Sequence, residues 1–185
     1  MTAAQLSVGT LMRLFSVKGG YLLGFSFLYG MSVWVTLFGG VIAFKTLSRP
    51  QFGALQHKTF PIYFALSMAI TSYLIVAWVS LNPNVLKHVA NPLVPEVAQA
   101  YTLASAILMQ ASNYFIVGPL TSKTMFQRAK LEKDEGKSYS DAGVSDQMKA
   151  LNKRFGMLHG ISSLANLGSV IALTFHGLWI GSLLA

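Results

Sequence analysis

The chain has 185 residues, 53% of them hydrophobic and 11% charged, with no cysteine and a formal net charge of +8. Without cysteine it can build no disulfide framework, thiolate metal site or cysteine nucleophile, and its length allows one domain, residues 1–185. Mean hydropathy is +0.52, and four runs contain no Lys, Arg, Asp or Glu: Gly19–Phe44, Thr59–Leu86, Val97–Ser122 and Phe155–Ala185. About 20 apolar residues at ~1.5 Å per residue cross the ~30 Å hydrocarbon core of a bilayer as a helix. Each run is long enough, and a soluble protein of this size lacks the polar surface to wrap all four. The expected fold is all-α: an integral membrane four-helix bundle with a charged helical hairpin between the third and fourth spans. The basic residues flank the spans, where they carry topology information, so no nucleic-acid partner is expected.

In chain order, the first element is a short lead-in. Val8, Leu11, Met12 and Phe15 fall on one side of a helix suited to the membrane interface. Arg13 and Lys18 follow the apolar stretch instead of preceding it, which argues against a secretory signal. Span one covers approximately 21–44, and Ser48-Arg49-Pro50 reads as its stop. Span two covers 60–82, with Thr59 as N-cap, Pro61 in the first turn and Asn82-Pro83 at the end. Span three covers 96–120: Glu96 suits its positive end, and Pro119 is expected to bend or end its last turn.

Residues 121–154 form the hairpin. Thr124–Lys137 reads as a helical extension of span three, with Arg128/Glu132 and Lys130/Asp134 paired at i,i+4. Gly136-Lys137-Ser138 and Asp141-Ala142-Gly143 break that helix, and Ser145 or Asp146 caps the next. Span four covers 156–183.

The loops on either side of span two differ sharply in charge. Loops one and three hold eleven of the fourteen Lys and Arg residues, whereas Arg13, Lys18 and Lys87 lie on the other side. The positive-inside rule assigns the odd loops, and with them the hairpin, to the cytosol.

Polar side chains at membrane depth are the candidate functional residues. At about 100° per residue, His159, Ser162, Ser163, Asn166 and Ser169 share one side of span four, while Leu158, Ile161, Leu164 and Ala165 point elsewhere. Asn113 shares a face of span three with Thr102 and Ser105; Ser32 with Thr36 and Ser67 with Thr71 mark the first two spans. The stripe has two readings. Ser, Thr and Asn can bond across helices and glue the bundle, helped by small-xxx-small pairs at Ser26/Gly30, Gly156/Gly160 and Gly177/Gly181. Alternatively they line a polar crevice, with His159 at its mouth and Asn113 and Asn166 deeper. No metal site is expected: His159 and His176 lie ~25 Å apart along one helix, and His57 near His159 would bring no carboxylate. Apart from Glu96 at the very start of span three, the spans hold no Asp or Glu, and no catalytic set or cofactor-binding motif can be assembled.

Three stretches go beyond generic membrane chemistry: Tyr29–Leu47, Phe52-Gly53 with Gln56–Phe64, and His159–Gly168, preceded by Asn113 and Pro119-Leu120-Thr121. Together they resemble the transmembrane protein 205-like family of four-span eukaryotic proteins, in a fungal-type form. The resemblance implies a four-helix membrane fold without an assigned reaction, and gives weight to Trp34, Phe60, Pro61, Gly160 and Gly168 as packing positions. It links animal members to platinum-drug resistance and vesicle traffic, and fungal members to mitochondria and phospholipid homeostasis. The expectation is a non-enzymatic modulator or auxiliary subunit in an intracellular membrane, either the mitochondrial outer membrane or the endoplasmic reticulum. Its expected partners are membrane lipids, another membrane protein and a cytosolic protein docking on 121–154. The alternative is a small oligomeric carrier whose crevice admits a lipid headgroup or amphipathic solute.

Overall fold

The structure, a computed structural model, describes residues 7–183; the first six residues of the lead-in and the last two of the chain lie outside the described residues. Four helices have the length and apolarity to cross a membrane: Val17–Thr46, Arg49–Leu81, Pro95–Glu135 and Asp146–Ser182. They are the four spans of an all-α membrane bundle. A short helix, Val8–Leu14, precedes them, capped by Ser7, whose Oγ accepts the Thr10 amide. Val8, Met12 and Phe15 on this lead-in are exposed, as suits a helix lying in the membrane interface.

Two helices run through positions that read as boundaries, and the cause differs at each, whereas span four starts at the cap the sequence suggests. Span two starts at Arg49, not Thr59. Ser48 and Gln51 form a capping box, and Pro50 sits in the first turn, where its missing N–H costs nothing. The Ser-Arg-Pro that reads as a stop is therefore a start. Pro61 lies inside this 33-residue helix, not in its first turn.

Span three likewise continues past Pro119 to Glu135. A π-helical turn at Asn113–Val117 accommodates the proline: the Gly118 amide bonds to the Asn113 carbonyl, widening the backbone just before the ring. A second π-turn, Trp34–Gly39, interrupts span one.

The helix of span four begins at Asp146, where Ser145 Oγ accepts the Met148 amide.

The hairpin is thus one part of a three-helix layer beyond the membrane, together with the first turns of span two. Gly136 ends the outgoing arm in the left-handed region at φ 63°, a conformation glycine adopts without Cβ strain. The turn is tightly tied. The Ser138 amide donates to Asp141 Oδ2 at 2.7 Å, the Tyr139 amide to Glu132 Oε1 at 2.7 Å, and Asn152 Nδ2 to the Tyr139 carbonyl at 2.8 Å. Arg49 reaches across from span two to Ser138 Oγ at 2.9 Å and to Glu132 at 3.8 Å. Neither expected i,i+4 ion pair forms among the described residues. Glu132 is held by the turn instead of by Arg128, and the remaining pair is Lys149–Asp146 at 2.8 Å.

Span four packs most extensively on span three, span three on span two, and span one least of all on the others. Lipid tails are as apolar as leucine, so van der Waals fit and interhelical hydrogen bonds hold such a bundle. The apolar core lies toward the end away from the hairpin, around Tyr21, Phe25, Leu28, Leu74, Trp78, Leu103 and Leu173. Two glycines permit the closest approaches: a Cβ on Gly168 would lie 2.9 Å from Met109 Sδ, and one on Gly177 2.8 Å from Phe25 Cζ. The small-xxx-small expectation does not hold at Gly30, Gly156, Gly160 and Gly181, where a Cβ would meet nothing within 4 Å.

Candidate functional site

Side chains from all four spans meet in one polar layer inside the bundle. Span four supplies Asn166 and Ser169, span three Gln110, span two Tyr63 and span one Thr36. Asn166 sits at the centre. Its Oδ1 accepts from Tyr63 Oη at 2.8 Å and Gln110 Nε2 at 3.3 Å, and its Nδ2 donates to Thr36 Oγ1 at 2.6 Å. Gln110 Nε2 also donates to Ser169 Oγ at 2.9 Å and approaches Tyr63 Oη at 3.4 Å. Slightly nearer the hairpin, Asn113 Nδ2 donates to the Ser162 carbonyl at 3.1 Å. Both π-turns fall on this layer, since Thr36 lies within one and Asn113 opens the other. Four buried oxygens around it have no hydrogen-bond partner: Ser32 Oγ, Ser67 Oγ, Gln110 Oε1 and Asn113 Oδ1.

The stripe expected on span four therefore divides. Asn166 and Ser169 are buried, Ser162 is half-buried and contributes its backbone, and Asn113 is buried against it. His159 and Ser163 face outward, His159 stacking on Phe155 with ring centroids 5.9 Å apart. Leu158, assigned to the opposite face, is buried. The inward line is Leu158, Ser162, Asn166, Ser169, Leu173 and His176, spaced four, four, three, four and three: the seam by which one helix packs on another. His159 and Ser163 each lie one residue, or ~100°, off that seam. His57 does not turn to His159; its Nδ1 bonds Ser122 Oγ at 3.1 Å and its ring meets Phe126 edge-on. Of the three polar residues expected to share a face of span three, Asn113 reaches across, whereas Thr102 and Ser105 bond to carbonyls of their own helix. Of the positions given weight by family resemblance, Gly168 packs on Met109 and Phe60 stacks on Phe64. Trp34 is exposed and stacks on Phe38, Pro61 is exposed, and a Cβ on Gly160 would meet nothing within 4 Å.

A second polar layer, near the end away from the hairpin, was not expected at all. His176 is buried, paired through Nε2 with Tyr21 Oη, and its Nδ1 donates to Gln99 Oε1 at 2.8 Å. Tyr21, Phe25 and Trp78 enclose the imidazole at centroid distances of 5.9, 5.7 and 5.2 Å. Trp78 Nε1 donates to the Glu96 carbonyl at 2.8 Å, tying the end of span two to the start of span three. The signal that could have found both layers was available. Gln99 and Gln110 are eleven residues apart on span three, three helical turns on one face.

Four long apolar helices, joined at membrane depth by side chains from every span, define a four-span integral membrane protein. The chain belongs to the family of a domain of unknown function, DUF4149, whose family model matches residues 23–130. It is also similar to transmembrane protein 205 of Danio rerio, with 25% identity over 177 residues, covering 89% of this chain and 91% of that relative. Both findings bear out the resemblance drawn from the Tyr29–Leu47 and His159–Gly168 motifs. The family model ends before span four, whereas the alignment to the fish protein extends over most of the chain. No solved structure matches.

Proposed function

We propose that the protein is a non-enzymatic auxiliary subunit or modulator of a lipid-homeostasis or trafficking complex in an intracellular membrane. The mitochondrial outer membrane and the endoplasmic reticulum are the two addresses that fit the family resemblance. One observation carries this reading: the central polar side chains bond to one another across four spans, so their main work is to hold the bundle. The chemistry left facing outward is on the ordered, charged layer that contains the hairpin. Lys130 and Lys133 lie exposed on its outgoing arm. The test is affinity purification from native membranes with Lys130→Glu and Lys133→Glu together. A specific co-purifying protein should be lost at unchanged thermal stability; an unchanged set of partners would make the hairpin a mere connector.

The carrier reading rests on a different observation. The unpaired oxygens of Ser32, Ser67, Gln110 and Asn113 give the central layer spare hydrogen-bonding capacity. A cavity of about 270 Å³ lined by Met31, Val35, Thr59, Ile62, Tyr63 and Leu66 brings the outside of the bundle to Tyr63. A bound lipid or amphipathic solute, lost in Ser67→Ala without loss of stability, would favour a carrier over a subunit.

A further inference from the structure

The layer beyond the membrane contains a buried cation that no acid neutralises among the described residues. Arg128 is 8% exposed, and its Nε is buried without a hydrogen-bond partner. The carboxylate one turn along, Glu132, is engaged by the Tyr139 amide, Ser138 and Arg49. A buried charge without a partner is costly, and natural proteins place one where a counter-charge arrives from elsewhere.

The surroundings define what that counter-charge is. The guanidinium carbon of Arg128 lies 3.7 Å from the Tyr139 ring centroid and 4.6 Å from that of Phe155. Contact with the ring faces supplies no hydrogen-bond acceptor, so the guanidinium N–H groups remain free for an oxyanion such as phosphate, which arginine can bind through paired hydrogen bonds. Arg128 lines a cavity of about 380 Å³ with Tyr139, Ser140, Asn152, Phe155 and Gly156. The cavity is an open depression rather than an enclosed chamber, so it suits a group presented from outside the bundle. Ser140 offers a hydroxyl at the wall, and Arg49, 4.0 Å from the same Tyr139 ring, adds positive potential. Phe155 and Gly156 open the charge-free run of span four, so the cavity lies where hydrocarbon gives way to water, the level of lipid phosphates.

We propose that this cavity is a binding site for a phosphate group gripped by Arg128, carried by an anionic lipid headgroup or present as free phosphate. The site does not depend on the partner reading above.

The test uses the full chain in mild detergent, with phosphatidic acid and inorganic phosphate as separate probes, read by native mass spectrometry and thermal melting. A lipid adduct should form and weaken at least tenfold in Arg128→Gln. Ser140→Asp, which puts a carboxylate on the wall shared with Arg128, should abolish the adduct while raising the melting temperature. This second variant carries the test if Arg128→Gln does not fold. Lys130→Gln with Lys133→Gln, on the exposed face of the same helix, should leave binding within twofold. Inorganic phosphate that raises the melting temperature and displaces the lipid identifies free phosphate as an occupant. A lipid adduct indifferent to millimolar phosphate identifies the headgroup as the occupant. The proposal is overturned if neither probe binds, if binding survives both pocket variants, or if the lysine pair removes it equally.

Discussion

Asn166 bonds to all three other spans, because its amide can both donate and accept at one point. It joins spans one, two and three through Thr36, Tyr63 and Gln110. Interhelical hydrogen bonds in membranes are worth about 0.6–2 kcal/mol each, and an orphaned Gln110 or Tyr63 adds to the loss. Asn166→Ala should therefore lower stability by about 2 kcal/mol, measured by denaturant titration in detergent. His159→Ala and Ser163→Ala should change it by less than about 0.5 kcal/mol, since both side chains face outward. The outcome separates seam from stripe, which the sequence alone could not. Polarity marked an arc on span four, and within it Asn166 and Ser169 join the central layer while Ser162 accepts a bond from Asn113 of span three. The centre of the inward face, however, is set by Leu158 and Leu173 as much as by any polar residue. His176 stands among apolar neighbours on its own helix, and Gln110, one turn from Asn113 and three turns from Gln99, shows its role only once the facing helices are in place. Their partners are supplied by other spans.

At the scale of the element, the charge-free runs were enough to reveal four spans, because bilayer thickness fixes how long an uncharged helix must be. Their ends were less legible. Ser48-Arg49-Pro50 holds both a helix stop and a helix start, and only the reach of the Gln51 side chain back to Ser48 decides between them. Pro119, expected to bend or end span three, does not end it: a π-turn absorbs it upstream, and no local sequence rule demands that turn. Removing the proline should release the constraint. Pro119→Ala is expected to leave the fold intact and to increase hydrogen-exchange protection over residues 113–119, as ordinary i→i−4 bonding becomes available. At the hairpin, Gly136→Ala places a Cβ at φ 63° and should cost about 1 kcal/mol, read as a lower melting temperature.

For the whole molecule, the absence of native cysteine makes topology directly measurable. A single cysteine replacing Ser140 should react with a membrane-impermeant thiol reagent only from the cytosolic side; labelling from the opposite side would reverse the assignment made from loop charge. The central layer has a further consequence, which concerns the order in which the chain is made. Its hub is on the last span, whereas Thr36, Tyr63 and Gln110 are synthesised earlier. During translation the first three spans are therefore made before Asn166 exists, and of the bonds among these groups only the Gln110–Tyr63 contact does not need it. The central layer is thus complete only when the last span is in place.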